Sequence, residues 1–79
     1  MDKVFFVTEP RVGVGSVHFV KEGANICACG CGIKGTWVVD REDALALRDV
    51  LEYAGDNARV VCAQCLTNVV EAGKRGIIK

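Results

Sequence analysis

Arg59-Val60-Val61-Cys62-Ala63-Gln64-Cys65-Leu66 carries two thiols three positions apart, behind a β-branched pair and ahead of an apolar periodicity. A C-x2-C pair brings two thiolates to one metal ion from a tight turn, or from a turn and the first turn of a following helix. A helix N-terminus also lowers thiol pKa, which eases deprotonation of the ligands. Residues 59–61 therefore read as a short strand delivering Cys62 and Cys65. Leu66, Val69, Val70 and Gly73 downstream read as a second, shorter helix, with Val69-Val70 weakening its propensity. Two thiols leave a structural tetrahedral site half built. The other half must come from upstream.

Upstream stands Ile26-Cys27-Ala28-Cys29-Gly30-Cys31-Gly32, which suits no regular element. In an extended strand its three thiols would share a face, whereas Gly30 and Gly32 favour a knuckle that turns two sulfurs inward. His18 precedes it on a segment, 14–20, that reads as a strand. There Val14, Ser16, His18 and Val20 share one face, and Gly15, Val17 and Phe19 the other. Neutral imidazole is a good metal ligand, and the bland alternative for His18 is a partly buried strand histidine with a hydrogen-bond partner. Six side chains thus compete for four positions: Cys62 and Cys65, with His18, Cys27, Cys29 and Cys31 contesting the rest.

Between residues 17 and 66 the chain resembles short zinc-ribbon-like proteins of actinobacteria and their phages. In these a Val-His strand precedes a Cys-Gly knuckle, and a Val-x-Cys-x-x-Cys-Leu segment follows. The matching residues are Val17-His18, Cys29-Gly30 (or Cys31-Gly32) and Val60-Val61-Cys62-Ala63-Gln64-Cys65-Leu66. The resemblance implies one zinc held by His18, one knuckle cysteine, Cys62 and Cys65, with Cys29 the expected knuckle donor and Cys27 and Cys31 its alternates. It departs from that pattern in having three knuckle cysteines where one is needed. Either two of them displace His18 in an all-cysteine site, or the surplus thiols are structural or reactive.

The remaining segments fill in a small α+β fold. Residues 3–8, β-branched and aromatic, read as a first strand, and Glu9-Pro10-Arg11-Val12-Gly13 as a turn that makes an N-terminal β-hairpin with 14–20. Residues 21–25 make a second turn, and 36–39, with Trp37, a short strand. Asp40 reads as an N-cap, with Glu42 and Asp43 favouring the positive end of the dipole. Ala44, Leu47, Val50, Leu51 and Ala54 keep the spacing of one buried helical face. A central helix over 41–54 with Gly55 as its C′ residue is expected. The tail, 74–79, is read as loose or as an added edge strand. The whole, 1–79, reads as one zinc-ribbon-like, zinc-binding domain.

The arithmetic supports a metal. The 79 residues, 8.5 kDa, allow a single small domain, and a chain 51% hydrophobic but only 6% aromatic builds a modest, largely aliphatic core. Chains this small commonly add a staple. The longest early apolar run, Val4-Phe5-Phe6-Val7, is far shorter than a signal peptide or membrane span. The expected compartment is therefore the cytoplasm, where thiols stay reduced. Five cysteines is also an odd number for a disulfide framework. One structural Zn2+ is preferred. An iron–sulfur cluster lacks its C-x2-C-x2-C run, a redox C-x2-C lacks its thioredoxin-like setting, and a metallothionein-like scavenger needs no folded core.

No phosphate-cradling loop or nucleophile motif stands out, and after His18-Phe19 stands Val20, where a zinc deaminase needs its H-x-E glutamate. The chain is expected not to be an enzyme but a binding module. Ten basic and ten acidic residues cancel, against a uniformly basic nucleic-acid or membrane protein. Asp40, Glu42, Asp43, Asp49, Glu52 and Asp56 make the helix region acidic, suited to a basic protein partner. Arg59, Lys74, Arg75 and Lys79 are the candidate nucleic-acid contacts. A protein-interaction or regulatory factor is the leading expectation, and a phage-encoded one fits the resemblance. A nucleic-acid-binding zinc ribbon is the alternative, and a thiol redox or iron–sulfur protein the third reading. The opposed charges also permit self-association.

Overall fold

β1 (Val4–Thr8) is the middle strand of a three-stranded antiparallel sheet, ordered β2-β1-β3, with β2 at Val17–Lys21 and β3 at Val38–Val39. The computed structural model describes residues 3–11 and 13–77; Val12 of the first turn and Ile78 and Lys79 of the tail lie outside them. Two helices follow, α1 (Leu47–Asp56) and α2 (Ala63–Lys74). The α+β class and the N-terminal hairpin are as expected. Among the described residues no helix is long and apolar enough to cross a membrane.

Val, Phe and Thr fill β1, residues that suit a pleated, buried surface. The register pairs Phe6 with Phe19 and Val7 with His18. On the first of these faces Phe6 meets Phe19 at 5.7 Å and Tyr53 of α1 at 4.6 Å between ring centroids, seating the helix. The second strand is shorter than the expected 14–20. Val14 stands in the turn, 83% exposed, because Gly15, at φ 73°, turns the chain before Val17.

The outer edge of β2 is where the fold prepares its site. Val17 pairs in parallel with Val61, with Val17 N–H donating to the Val60 carbonyl at 2.8 Å and Cys62 N–H to the Val17 carbonyl at 2.7 Å. Val20 pairs with Cys27, and Ala28 N–H donates to the Phe19 carbonyl at 2.8 Å. Both thiol segments therefore hang from one strand edge, on either side of His18. The strand expected over 59–61 shrinks to the bridge at Val61, since 58–60 turn to reach it.

The central helix starts six residues later than its sequence signals suggest. Asp40 does accept the N–H groups of Glu42 and Asp43, at 3.1 and 3.3 Å, but in an isolated turn. The free edge of β1 needs hydrogen-bond partners. Asp40 N–H donates to the Phe6 carbonyl at 2.9 Å, and Leu45 exchanges bonds with Val4 at 2.8 and 3.1 Å. That pairing keeps 40–45 out of the helix, leaves Ala44 exposed, and completes an edge of which only Val38–Val39 is strand. Asp49 then accepts the Ala46 N–H at 3.2 Å as α1 begins. Val50 and Ala54 are buried as predicted, whereas Leu51 is 46% exposed. Gly55 lies within the helix, and Asn57 closes it on the Tyr53 carbonyl.

α2 has 12 residues to the 10 of α1, so the C-terminal helix is the longer one, not the shorter. Gly73 does not end it. A methyl group there would run into the Leu47 side chain, so this glycine lets the two helices approach. The end comes at Gly76, φ 76°, where Ile77 N–H reaches the Ala72 carbonyl and Gly76 N–H the Gly73 carbonyl, a Schellman motif. The described part of the tail, 75–77, is thus a helix cap and neither a loose end nor a strand. Val69, 1% exposed, shows core packing overriding a weak helix propensity.

Candidate metal centre

Four side chains converge beside the outer edge of β2. Nδ1 of His18 and the Sγ atoms of Cys29, Cys62 and Cys65 belong to a group whose ligand atoms all lie within 4.8 Å of one another. Nδ1 is 3.6 Å from Cys65 Sγ and 3.9 Å from Cys29 Sγ. In a tetrahedral Zn site with bonds near 2.0–2.3 Å, donor atoms stand about 3.5–3.8 Å apart, so the group needs only a slight contraction. The donors suit an ion that takes soft thiolates and imidazole together.

Each donor is delivered differently. His18 is the second residue of β2 and is 5% exposed. Cys62 is the residue preceding α2 and Cys65 lies in its first turn, fully buried. The i, i+3 spacing puts both on one side of that turn. Cys29 comes from the knuckle over 27–31. There Cys27 N–H donates to the Cys31 carbonyl at 2.9 Å and Gly30 N–H to the Cys27 carbonyl at 2.8 Å. Gly30 sits at φ 91°, a conformation that side-chain-bearing residues rarely adopt.

The histidine is held from both sides. Its Nε2 lies 2.6 Å from a Glu9 carboxylate oxygen. A carboxylate accepts Nε2–H and fixes the tautomer that leaves the Nδ1 lone pair facing the thiols. Metal-binding histidines almost always carry such an outer partner. The Trp37 indole stacks on a face of the ring, with centroids 4.9 Å apart and planes 5° from parallel.

No protein-family model, no curated protein and no solved structure matches the chain. What the site does is therefore read from its chemistry. Burial opposes ionisation of Cys29, but the Cys31 backbone N–H and the Cys65, Cys31 and His18 side chains outweigh it and bring the thiol from 9.0 down to about 7. Burial above all pushes the Cys65 thiol far above its ordinary range. One donor is thus ready to ionise near neutrality, while the other favours the thiolate only once a cation is present to compensate.

Of the six candidates, the structure gathers His18, Cys29, Cys62 and Cys65 and leaves out Cys27 and Cys31. Cys27 is 1% exposed and packs in the core as a small hydrophobe, with burial raising its thiol to about 11. Cys31 points to solvent. The candidate nucleic-acid contacts do not gather: Arg59 precedes α2, whereas Lys74 and Arg75 lie at its far end, a helix of about 18 Å away. Lys79 lies outside the described residues. Two supports escaped the sequence reading, Glu9 and Asn68. Glu9 could have been found from the hairpin register, since it lies two residues beyond Val7, the partner of His18, on the same face. Asn68 donates from α2 to the Ala28 carbonyl at 2.7 Å and ties the knuckle to the helix. Nothing in the sequence marks it.

Proposed function

We propose that the chain is a structural-zinc module that serves protein interaction, with His18, Cys29, Cys62 and Cys65 holding one Zn2+. The observation that carries this reading is the set of three thiols and one imidazole within 4.8 Å. Four protein donors make a closed site without the open position a catalytic zinc needs, so the ion's contribution is to folding. An imidazole as fourth donor favours zinc over an iron–sulfur cluster held by four thiolates. The likeness to short zinc-ribbon-like proteins of actinobacteria and their phages supports a ligand set of His18, one knuckle cysteine, Cys62 and Cys65.

The partner face in this proposal is α1. Phe6, Tyr53, Asp49, Glu52 and Asp56 line a shallow, open depression of about 400 Å³. Carboxylates beside aromatic rings suit a basic segment of a partner protein. Nucleic acid is less well served, with Arg59 apart from Lys74 and Arg75. The deciving measurement is elemental analysis of the protein purified under reducing conditions. About one zinc per chain is expected for a single four-donor site, lost on His18→Ala or Cys29→Ala. Protein without zinc, or with visible charge-transfer colour, overturns the reading.

A further inference from the structure

A second hollow, a groove of about 310 Å³, lies between the knuckle and α2. It is walled on three sides: by Lys21 at the end of β2, by Ala24, Ile26 and Ala28 along the turn and knuckle, and by Asn68 and Ala72 of α2. Behind it stand Val4, Cys27 and Val69, all buried. The small alanine side chains leave the hollow open, and Ile26 beside them is 53% exposed. Besides Lys21, the one polar side chain of the lining is Asn68, and it is already engaged. It donates to the Ala28 carbonyl at 2.7 Å and accepts from Gln64 at 3.2 Å. Lys21 is the only charged residue of the groove and makes no ion pair among the described residues. The depression on α1 has the opposite character, with three carboxylates and no cation in its lining.

We propose that this groove binds a small amphiphile made of an apolar chain and a carboxylate head. The chain lies along Ala24, Ile26, Ala28 and Ala72, and the carboxylate meets the Lys21 ammonium. The shape favours a small ligand: such sites are concave and mostly apolar, from about 300 Å³ upward, with a few polar groups that fix orientation. A partner protein instead covers a broad face, about 800 Å² on each side. The charge selects the head. A lone ammonium beside apolar surface attracts an anion and repels a cationic amphiphile of the same length. Covering the alanines and Ile26 supplies the rest of the affinity, at about 25 cal/mol for each Å² of apolar surface removed from water. The proposal rests on the zinc reading above, because two of the walls belong to the segments that carry Cys29 on one side and Cys62 and Cys65 on the other. In that reading the ion that joins those segments also sets the width of the groove.

The test titrates the zinc-loaded full chain with sodium octanoate, kept below its micelle concentration, and follows backbone amide shifts by NMR. Saturable shifts should gather at Lys21, Ala24, Ile26, Ala28 and Ala72. Lys21→Gln should weaken binding at least about tenfold, as loss of a contact to a charged group does. Ala24→Leu and Ala72→Leu fill the hollow and should each abolish binding, with zinc content and thermal melts showing that the fold is kept. Octylammonium, the same chain with the opposite charge, should bind the groove at least about tenfold more weakly than octanoate. Octanoate that does not saturate, shifts that gather elsewhere, or equal affinity in Lys21→Gln and the wild type overturns the site alone. So does a leucine–glutamate peptide that occupies the groove where octanoate does not, which makes it a protein contact. Protein that holds no zinc overturns the centre and the groove built on it together.

Discussion

The two thiol segments hang from the same edge of β2, one on each side of His18, yet they aim their sulfurs by different means. At the start of α2, the helical spacing of Cys62 and Cys65 suffices: both belong to the donor group. In the knuckle, alternation along the chain yields three different fates. Cys27 turns into the core, Cys29 toward His18 and Cys31 to solvent. Where a regular helix carries the donors, their spacing in the sequence already decides direction. Where a turn carries them, the backbone conformation decides, here through Gly30.

The contrast can be broken by substitution. The largest effect is expected on the helical side. Cys65 is fully buried and its Sγ is 3.6 Å from His18, so Cys65→Ser should lose both bound metal and a cooperative thermal transition. Excess chelator should do the same to the wild type, since structural zinc binding of about 10–16 kcal/mol is largely folding free energy in a small domain. Circular dichroism melts read both, and a cooperative transition surviving in chelator would mean that the apolar core holds without the ion.

The knuckle should respond in graded fashion. Cys27→Ser puts a hydroxyl into the core and should cost about 1–3 kcal/mol while metal stoichiometry is kept. Cys31→Ser should stay within about 0.5 kcal/mol, as surface substitutions do. Urea denaturation of the metal-loaded proteins measures both, and equal costs would erase the distinction between the two thiols. The smallest informative effect concerns the tie between the two segments. Asn68→Ala removes the 2.7 Å bond to the Ala28 carbonyl. It should cost about 1 kcal/mol, the net worth of one such bond. If zinc content also fell, the knuckle would depend on α2 for its shape and not only for its stability.

Much of this was legible before any coordinates. The C-x2-C, the His18 strand and the hairpin are set by local pattern, and local pattern is what a sequence displays directly. The errors share one cause. Asp40, Glu42 and Asp43 look like a helix start, but 40–45 pair instead with β1, a partner more than thirty residues away in the chain. Gly55 and Gly73 look like helix ends. Asn57 supplies the real end of α1, and Gly73 is small because Leu47 packs against it. Neither the spacing nor the resemblance, which fits Cys29-Gly30 and Cys31-Gly32 alike, separates Cys29 from its neighbours; the folded knuckle does. In each case a tertiary contact overrides a sound local signal.

The stacking of Trp37 on His18 has an optical consequence. It is the only tryptophan in the chain, so all indole emission originates 4.9 Å from the imidazole of the candidate metal centre. An indole face is electron-rich and senses the charge of what lies against it. Binding of a metal ion at the ring or withdrawal of Glu9 would each change that charge. The protein thus carries a fluorophore in contact with its own centre, and its intrinsic fluorescence reports the state of that centre without a label.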